Sequence, residues 1–138
     1  MGALLDSTFL IAAERRKRPL SDALQEAREL ADSEDLGISA ISVMELAHGE
    51  ARAESEARAA WRSRFLDEVL AVIPVFAVNA EVARRAGSLD GQLQQLGTKL
   101  AYADVLIGTT ALLLNYSIIT RNLRHFDRIP NLRVIVHT

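Results

Sequence analysis

Asp6, Glu45 and Asp104 are the three acids that this chain places where a purely structural duty explains least. Asp6 interrupts the apolar run LLDSTFLIA. Leu4 and Leu5 read as the end of a buried strand and Phe9, Leu10 and Ile11 as the first turns of a helix, so a charge between them costs free energy unless something requires it. Asp104 stands in LAYADVLIGTTALLL, a helix apolar on nearly every side and therefore buried on most of them. No Lys or Arg lies at helical spacing to neutralise it, and the small residues Ala101 and Gly108 leave the carboxylate approachable. Glu45 falls one turn into the helix that follows the second strand, while Thr120 and Asn122 close the fourth.

Carboxylates gathered at one edge of a sheet suggest a definite chemistry. Two like charges about 4 Å apart repel by roughly 4 kcal/mol at an effective dielectric of 20. A divalent cation removes that cost. Mg²⁺ and Mn²⁺ take oxygen ligands, keep several waters, and bridge a few carboxylates to a substrate phosphate. Such a centre activates water and stabilises the leaving oxygen of a phosphodiester. Each acid also has a plainer reading. Asp6 suits a helix N-cap, Ser42 and Glu45 fit the S-x-x-E capping box, and Asp104 suits a buried carboxylate bonded to a hydroxyl or an arginine.

The elements that position these residues follow from periodicity. Strands are expected at Ala3–Leu5, Gly37–Ala40, Val72–Phe76, Ser117–Thr120 and Arg133–Val136, with Pro74 marking the third as an edge strand. Helices are expected over Ser7 to about Arg16, Ser21–Ala31 from a serine cap, Ser42–Ala47 ending near Gly49, Glu54–Leu70, Ala80–Leu96 and Ala101–Leu114. Strands alternating with helices imply an α/β three-layer sandwich, a mostly parallel sheet of about five strands covered on both faces. Ligands of such sheets gather at the carboxyl ends of the strands.

Composition narrows the classes. The 138 residues suit one domain spanning 1–138, with no internal repeat or long linker. There are no cysteines, which excludes disulfides and thiolate zinc sites and agrees with a reducing cytoplasm. The net charge of −2 advertises no nucleic acid in bulk, so any such partner has to meet a local patch. The cluster Arg15–Arg18 is the first candidate, with Arg15 and Arg16 as substrate-orienting groups, and Arg52, Arg58, Arg62 and Arg64 form a second. The plain reading of either cluster is a solvated helix end. Aromatics make up 5%, against single-strand binding by stacked rings. No targeting signal is expected at the N-terminus. The most apolar window, Leu100–Ile119, holds Asp104 and Asn115 and does not suit a membrane span.

In four stretches the chain resembles a PIN-domain ribonuclease of the VapC type, the toxin of bacterial toxin–antitoxin pairs. They are LLDST at 4–8, SVMELAHG at 42–49, GTKLAYADVLIG at 97–108 and TRNLRHFDRIPNL at 120–132. Each is weak alone; their order and spacing make the combination specific. The resemblance implies Mg²⁺- or Mn²⁺-dependent cleavage of RNA in the cytoplasm, with Asp6, Glu45 and Asp104 as metal ligands. It also implies a homodimer and a small cognate antitoxin that covers or disrupts the site.

The chain departs from that family in one place. A fourth acid often follows the fourth strand in the family, but here no carboxylate occurs until Asp127, so one ion is expected rather than two. Asn122 remains able to ligate through its carbonyl or to orient water, and Thr120 to donate a hydrogen bond. Ser7 and Thr8 supply hydroxyls that orient ligands or cap the helix. His125 is expected to pack beside Phe126, and Asp127 to pair with Arg124 or Arg128.

Rivals come from other classes. A receiver domain needs an acceptor Asp at the end of the third strand, which ends Val75-Phe76-Ala77. No G-x-S-x-G elbow, H-E-x-x-H pair or phosphate-binding G-x-x-x-x-G-K loop occurs. The stronger rival keeps the fold and drops the catalysis, leaving an RNA- or protein-binding module with structural acids.

Overall fold

Ala3, Leu4 and Leu5 form strand β1 (Ala3–Leu5) and are completely buried, as the middle strand of a sheet covered on both faces requires. Successive side chains of a strand point to opposite faces. Ala3 and Leu5 accordingly belong to one apolar cluster and Leu4 to another. The computed structural model describes residues 1–138. The remaining strands are β2 (Leu36–Ser39), β3 (Val75–Phe76), β4 (Ser117–Thr120) and β5 (Val134–Val136). The helices are α1 (Ser7–Arg15), α2 (Leu20–Ala31), α3 (Ala40–Ala51), α4 (Glu56–Val72), α5 (Ala80–Gln95) and α6 (Tyr102–Leu114), and a 3-10 turn spans Leu123–His125.

The strands lie in the order β3-β2-β1-β4-β5 and every neighbouring pair is parallel. The expected three-layer α/β sandwich is therefore present. The larger cluster packs α1, α2, α3 and α4 on one face, through residues such as Phe9, Leu24, Leu46 and Phe65. The smaller one sets Ile107 and Ala111 of α6, with Phe126 and Ile129, against Leu4 and Ile118 on the other. The chain runs outward from β1 to β2 and β3, then returns to place β4 on the other side of β1. The carboxyl ends of β1 and β4 thus flank the switch point where open parallel sheets bind ligands. No helix is long and apolar enough to cross a membrane.

Several boundaries differ from the sequence expectations. The third strand loses Val72 to α4, because Pro74 confines Ile73 to extended backbone (φ −124, ψ 143) and only there ends the helix. What is left, Val75–Phe76, is an edge strand as Pro74 indicated. Helix α2 starts at Leu20 behind Pro19 and has no serine side-chain cap. Helix α3 starts at Ala40 and runs through Gly49 to Ala51. Gly108 does not open a path to Asp104: a Cβ there would stand 2.4 Å from Ile129 Cδ1, so its missing side chain admits Ile129.

Candidate active site

The end of β1 delivers Asp6, and the register of the sheet brings Thr120 beside it. Leu5 pairs with Ile119, and the Asp6 N–H donates to Ile119 O at 2.9 Å. Asp6 occupies the N-cap position of α1, yet its side chain makes no capping bond. Its Oδ2 accepts instead from two hydroxyls, Thr8 Oγ1 at 2.6 Å and Thr120 Oγ1 at 2.8 Å. Both hydroxyls are held in turn, since the Arg121 N–H donates to Thr8 Oγ1 and the Asn122 N–H to Thr120 Oγ1, each at 3.0 Å. With those lone pairs taken by backbone donors, the hydroxyl protons are directed at Asp6. Oδ1 takes no part in these bonds. The residue is only 2% exposed, so two hydroxyl donors, each held by a backbone N–H, amount to a positioned carboxylate.

Glu45 is not the end of a capping box. The cap of α3 is Ser39, whose hydroxyl accepts from the Ile41 N–H at 3.1 Å, while Ser42 Oγ is buried without a partner. Glu45 Oε1 accepts instead from Ser7 Oγ at 3.0 Å, across from α1. Burial raises its pKa above the ordinary 4.5; the Ser7 hydrogen bond opposes this, and the fields of Asp6 and Asp104 add to it.

Asp104 enters from the first turn of α6. Burial raises its pKa too, His125 opposes and Asp6 reinforces. The ring nitrogen Nδ1 of His125 lies 3.6 Å from Asp104 Oδ1, too long for a hydrogen bond but close enough for its field to act. The other ring nitrogen, Nε2, is 2.8 Å from Asn122 Nδ2. With the amide so oriented, Nε2 accepts and the ring proton sits on Nδ1, facing Asp104. His125 does pack edge-on against Phe126, with centroids 6.0 Å apart, but its link between Asp104 and Asn122 was missed by sequence reasoning. The N-x-x-H spacing from Asn122 to His125, one helical turn, was the available signal.

Asp6, Glu45, Asp104, Thr120, Asn122, Ser7 and Thr8 therefore gather at one edge, where Asp6 acts on both other acids and Asp104 on Glu45. Arg15 and Arg16 do not join them. They close and cap the far end of α1, roughly 12 Å of helix beyond Ser7. Asp127 makes no ion pair with Arg124 or Arg128, so its expected pairing is absent. A groove of about 630 Å³ between α2 and α4 is lined by Leu20, Leu24, Trp61 and Phe65 and lies away from the acids.

No three His, Asp or Glu side chains converge tightly enough to cage a metal ion unaided. The donor set nevertheless suits a hard cation that keeps part of its water: all-oxygen ligands, mutually repelling, with Asp6 Oδ1 and Glu45 Oε2 outside the hydrogen bonds described above. A dedicated zinc site finds no support in these residues.

Comparison with known proteins gives a consistent result. The sequence model of the PIN domain matches residues 3–132. Ribonuclease VapC of Rickettsia bellii is 27% identical over 135 residues, which cover 98% of this chain and 96% of the relative. Ribonuclease VapC2 of Rickettsia felis is 29% identical over 103 residues, 75% of each chain. Among solved structures, VapBC2 from Rickettsia felis bound to a DNA fragment from its promoter superposes with a TM-score of 0.83 at 25% identity, covering 100% of both chains.

Proposed function

The chain belongs to the PIN domain family, and from that premise we propose that it is a metal-dependent endoribonuclease, the toxin of a toxin–antitoxin pair. The observation that carries this reading is the meeting of Asp6, Glu45 and Asp104 at the β1/β4 switch point, where Glu45 and Asp104 are held above the ordinary carboxylate range. The likeness to proteins named Ribonuclease VapC supports RNA as the substrate. The likeness to VapBC2 supports a cognate antitoxin.

Asp6, Glu45 and Asp104 are the residues that would hold Mg²⁺ or Mn²⁺, which when bound neutralises the carboxylates and polarises a phosphodiester. The chain's own groups do the rest. Thr8 and Thr120 fix Asp6 through Oδ2 and keep Oδ1 facing the centre. Ser7 fixes Glu45 through Oε1 and leaves Oε2 for the centre. His125 faces Asp104 and moderates its raised pKa, and Asn122 sets the ring's tautomer. The absence of a fourth carboxylate before Asp127 favours one ion. The protein acts in the cytoplasm, where RNA is its substrate, and it forms a homodimer that its antitoxin silences.

The test is incubation of the purified chain with mixed cellular RNA in Mg²⁺, Mn²⁺ or EDTA, beside Asp104→Asn. Cleavage lost with EDTA and with the substitution supports the proposal. A folded, metal-supplied, antitoxin-free protein that cleaves no RNA class supports the rival, a PIN-like binding module without catalysis.

A further inference from the structure

Building on the ribonuclease reading, we propose that Arg121 is a phosphate-binding residue of the RNA site, gripping a backbone phosphate beside the scissile bond. Its position is set from two sides. On the main chain, its N–H donates to Thr8 Oγ1 at 3.0 Å, and that hydroxyl donates to Asp6 Oδ2. Arg121 is thus one hydroxyl away from the first carboxylate of the site.

On the side chain, Nη1 lies 3.5 Å from His137 Nδ1 and 3.5 Å from the main-chain oxygen of Thr138. Both contacts are at the long limit of a hydrogen bond, so the guanidinium is oriented without being consumed. The orientation has its own support. His137 Nε2 lies 2.9 Å from Glu26 Oε1, so this nitrogen carries the proton and Nδ1 keeps its lone pair for Arg121. The imidazole is further held edge-on by Phe9, with ring centroids 5.2 Å apart.

No aspartate or glutamate side chain pairs with Arg121. The acid in that corner, Glu26, already takes Arg18 at 2.8 Å and His137 at 2.9 Å on a single oxygen. Arg58 and Arg62 are likewise committed, to Glu14. Arg121 is half-exposed like these paired arginines, but it alone among them is anchored by its main chain beside Asp6 and has no side-chain acid to match it. A planar guanidinium with free donors is complementary to the oxygens of a phosphodiester, which it holds through two parallel hydrogen bonds. Next to three carboxylates that repel a polyanion, such a cation gives the strand a point of attachment.

The experiment measures binding in the Asp104→Asn background, so that the RNA survives. The probes are a short RNA carrying one mapped cleavage site and a series in which one phosphate at a time is replaced by a neutral methylphosphonate. The expected result is one position, next to the cleavage site, at which the neutral group weakens binding about tenfold, as loss of a charged hydrogen bond does. Adding Arg121→Gln is expected to weaken binding of the unmodified RNA by a similar factor and to erase the penalty at that position alone. The slope of log affinity against log salt should fall by about 0.7, the value for one phosphate on a single strand.

Arg121→Lys keeps the charge and loses the fork, so it is expected to bind more weakly than Arg121 while retaining the positional penalty. It also serves as the readout if Arg121→Gln does not fold. Affinity and methylphosphonate profile unchanged in the folded variants would overturn the assignment of Arg121 and leave the ribonuclease reading standing. Absence of any RNA binding or cleavage by the parent protein would overturn both.

Discussion

Thr8 and Thr120 stand 112 residues apart in the chain, yet their hydroxyls lie 3.2 Å from each other and both donate to Oδ2 of Asp6. One hydroxyl comes from the first turn of α1 and the other from the last residue of β4. Their meeting fixes the carboxylate at the switch point in a single orientation, which is preorganisation rather than mere proximity.

Thr120→Val keeps the shape and removes both the donor to Asp6 and the acceptor of the Asn122 N–H. Two hydrogen bonds around a buried acid are lost, so stability should fall by about 2 kcal/mol. Cleavage should fall on the order of tenfold to a hundredfold as Asp6 loses its orientation. Thr120→Ser restores the hydroxyl and should recover most of both. Urea denaturation and initial rates on a defined RNA are the measurements.

Asp104→Asn should stabilise the metal-free protein at neutral pH while lowering cleavage by about a hundredfold or more. The folded-state pKa values of Glu45 and Asp104 lie above the ordinary 4.5 and 3.8. Between each ordinary value and its raised one, the native state binds more protons than the unfolded chain. Stability from these groups is therefore fully present at low pH and declines as pH rises through the folded pKa. The advantage of Asp104→Asn should accordingly shrink on going from pH 7 toward pH 4. Melting curves in EDTA across that range decide it. An advantage independent of pH would mean that Asp104 bears no charge penalty.

Mg²⁺ or Mn²⁺ should raise the melting temperature of the parent protein and leave that of Asp104→Asn nearly unchanged. At an ion concentration one hundred times the dissociation constant, the gain should be about 2.7 kcal/mol. An equal shift in both proteins would move the ion away from Asp104.

Glu14 and Arg62 offer a prediction remote from the acids. Glu14 is 5% exposed, Arg62 Nε donates to its Oε1 at 2.7 Å, and Arg62 Nη1 holds Gly49 O at 2.7 Å. One guanidinium thereby ties the far end of α1 to the last turn of α3, the helix that carries Glu45. Arg62→Ala leaves the buried carboxylate with only the longer Arg58 contact, 3.6 Å, and should cost about 2 kcal/mol. Changing both residues to well-packed apolar ones should cost less than the single change, and a double-mutant cycle measures the difference.

The order and type of the elements could be read from the sequence because hydrophobic periodicity is local: a stripe at helical spacing or a short apolar run shows itself within a dozen residues. So could the candidacy of Asp6 and Asp104, because a charge in an apolar run is conspicuous wherever the run folds. Helix ends were harder. The S-x-x-E at Ser42 resembled a cap, but Ser39 is the cap, and only the backbone turn between β2 and α3 distinguishes two serines three residues apart.

The tertiary structure decided what the polar groups do. Strand order put β4 beside β1, and parallel register then brought Thr120 to Asp6, while packing of α1 against α3 brought Ser7 to Glu45 and the turn after β4 brought His125 to Asp104. It also separated Arg15 and Arg16 from the acids by the length of α1 and put the main chain of Arg121 beside Asp6 instead. The physical reason is range. Periodicity and turn chemistry act over a few residues, whereas a hydrogen bond of 2.8 Å between side chains 114 residues apart exists only once the sheet has chosen its register.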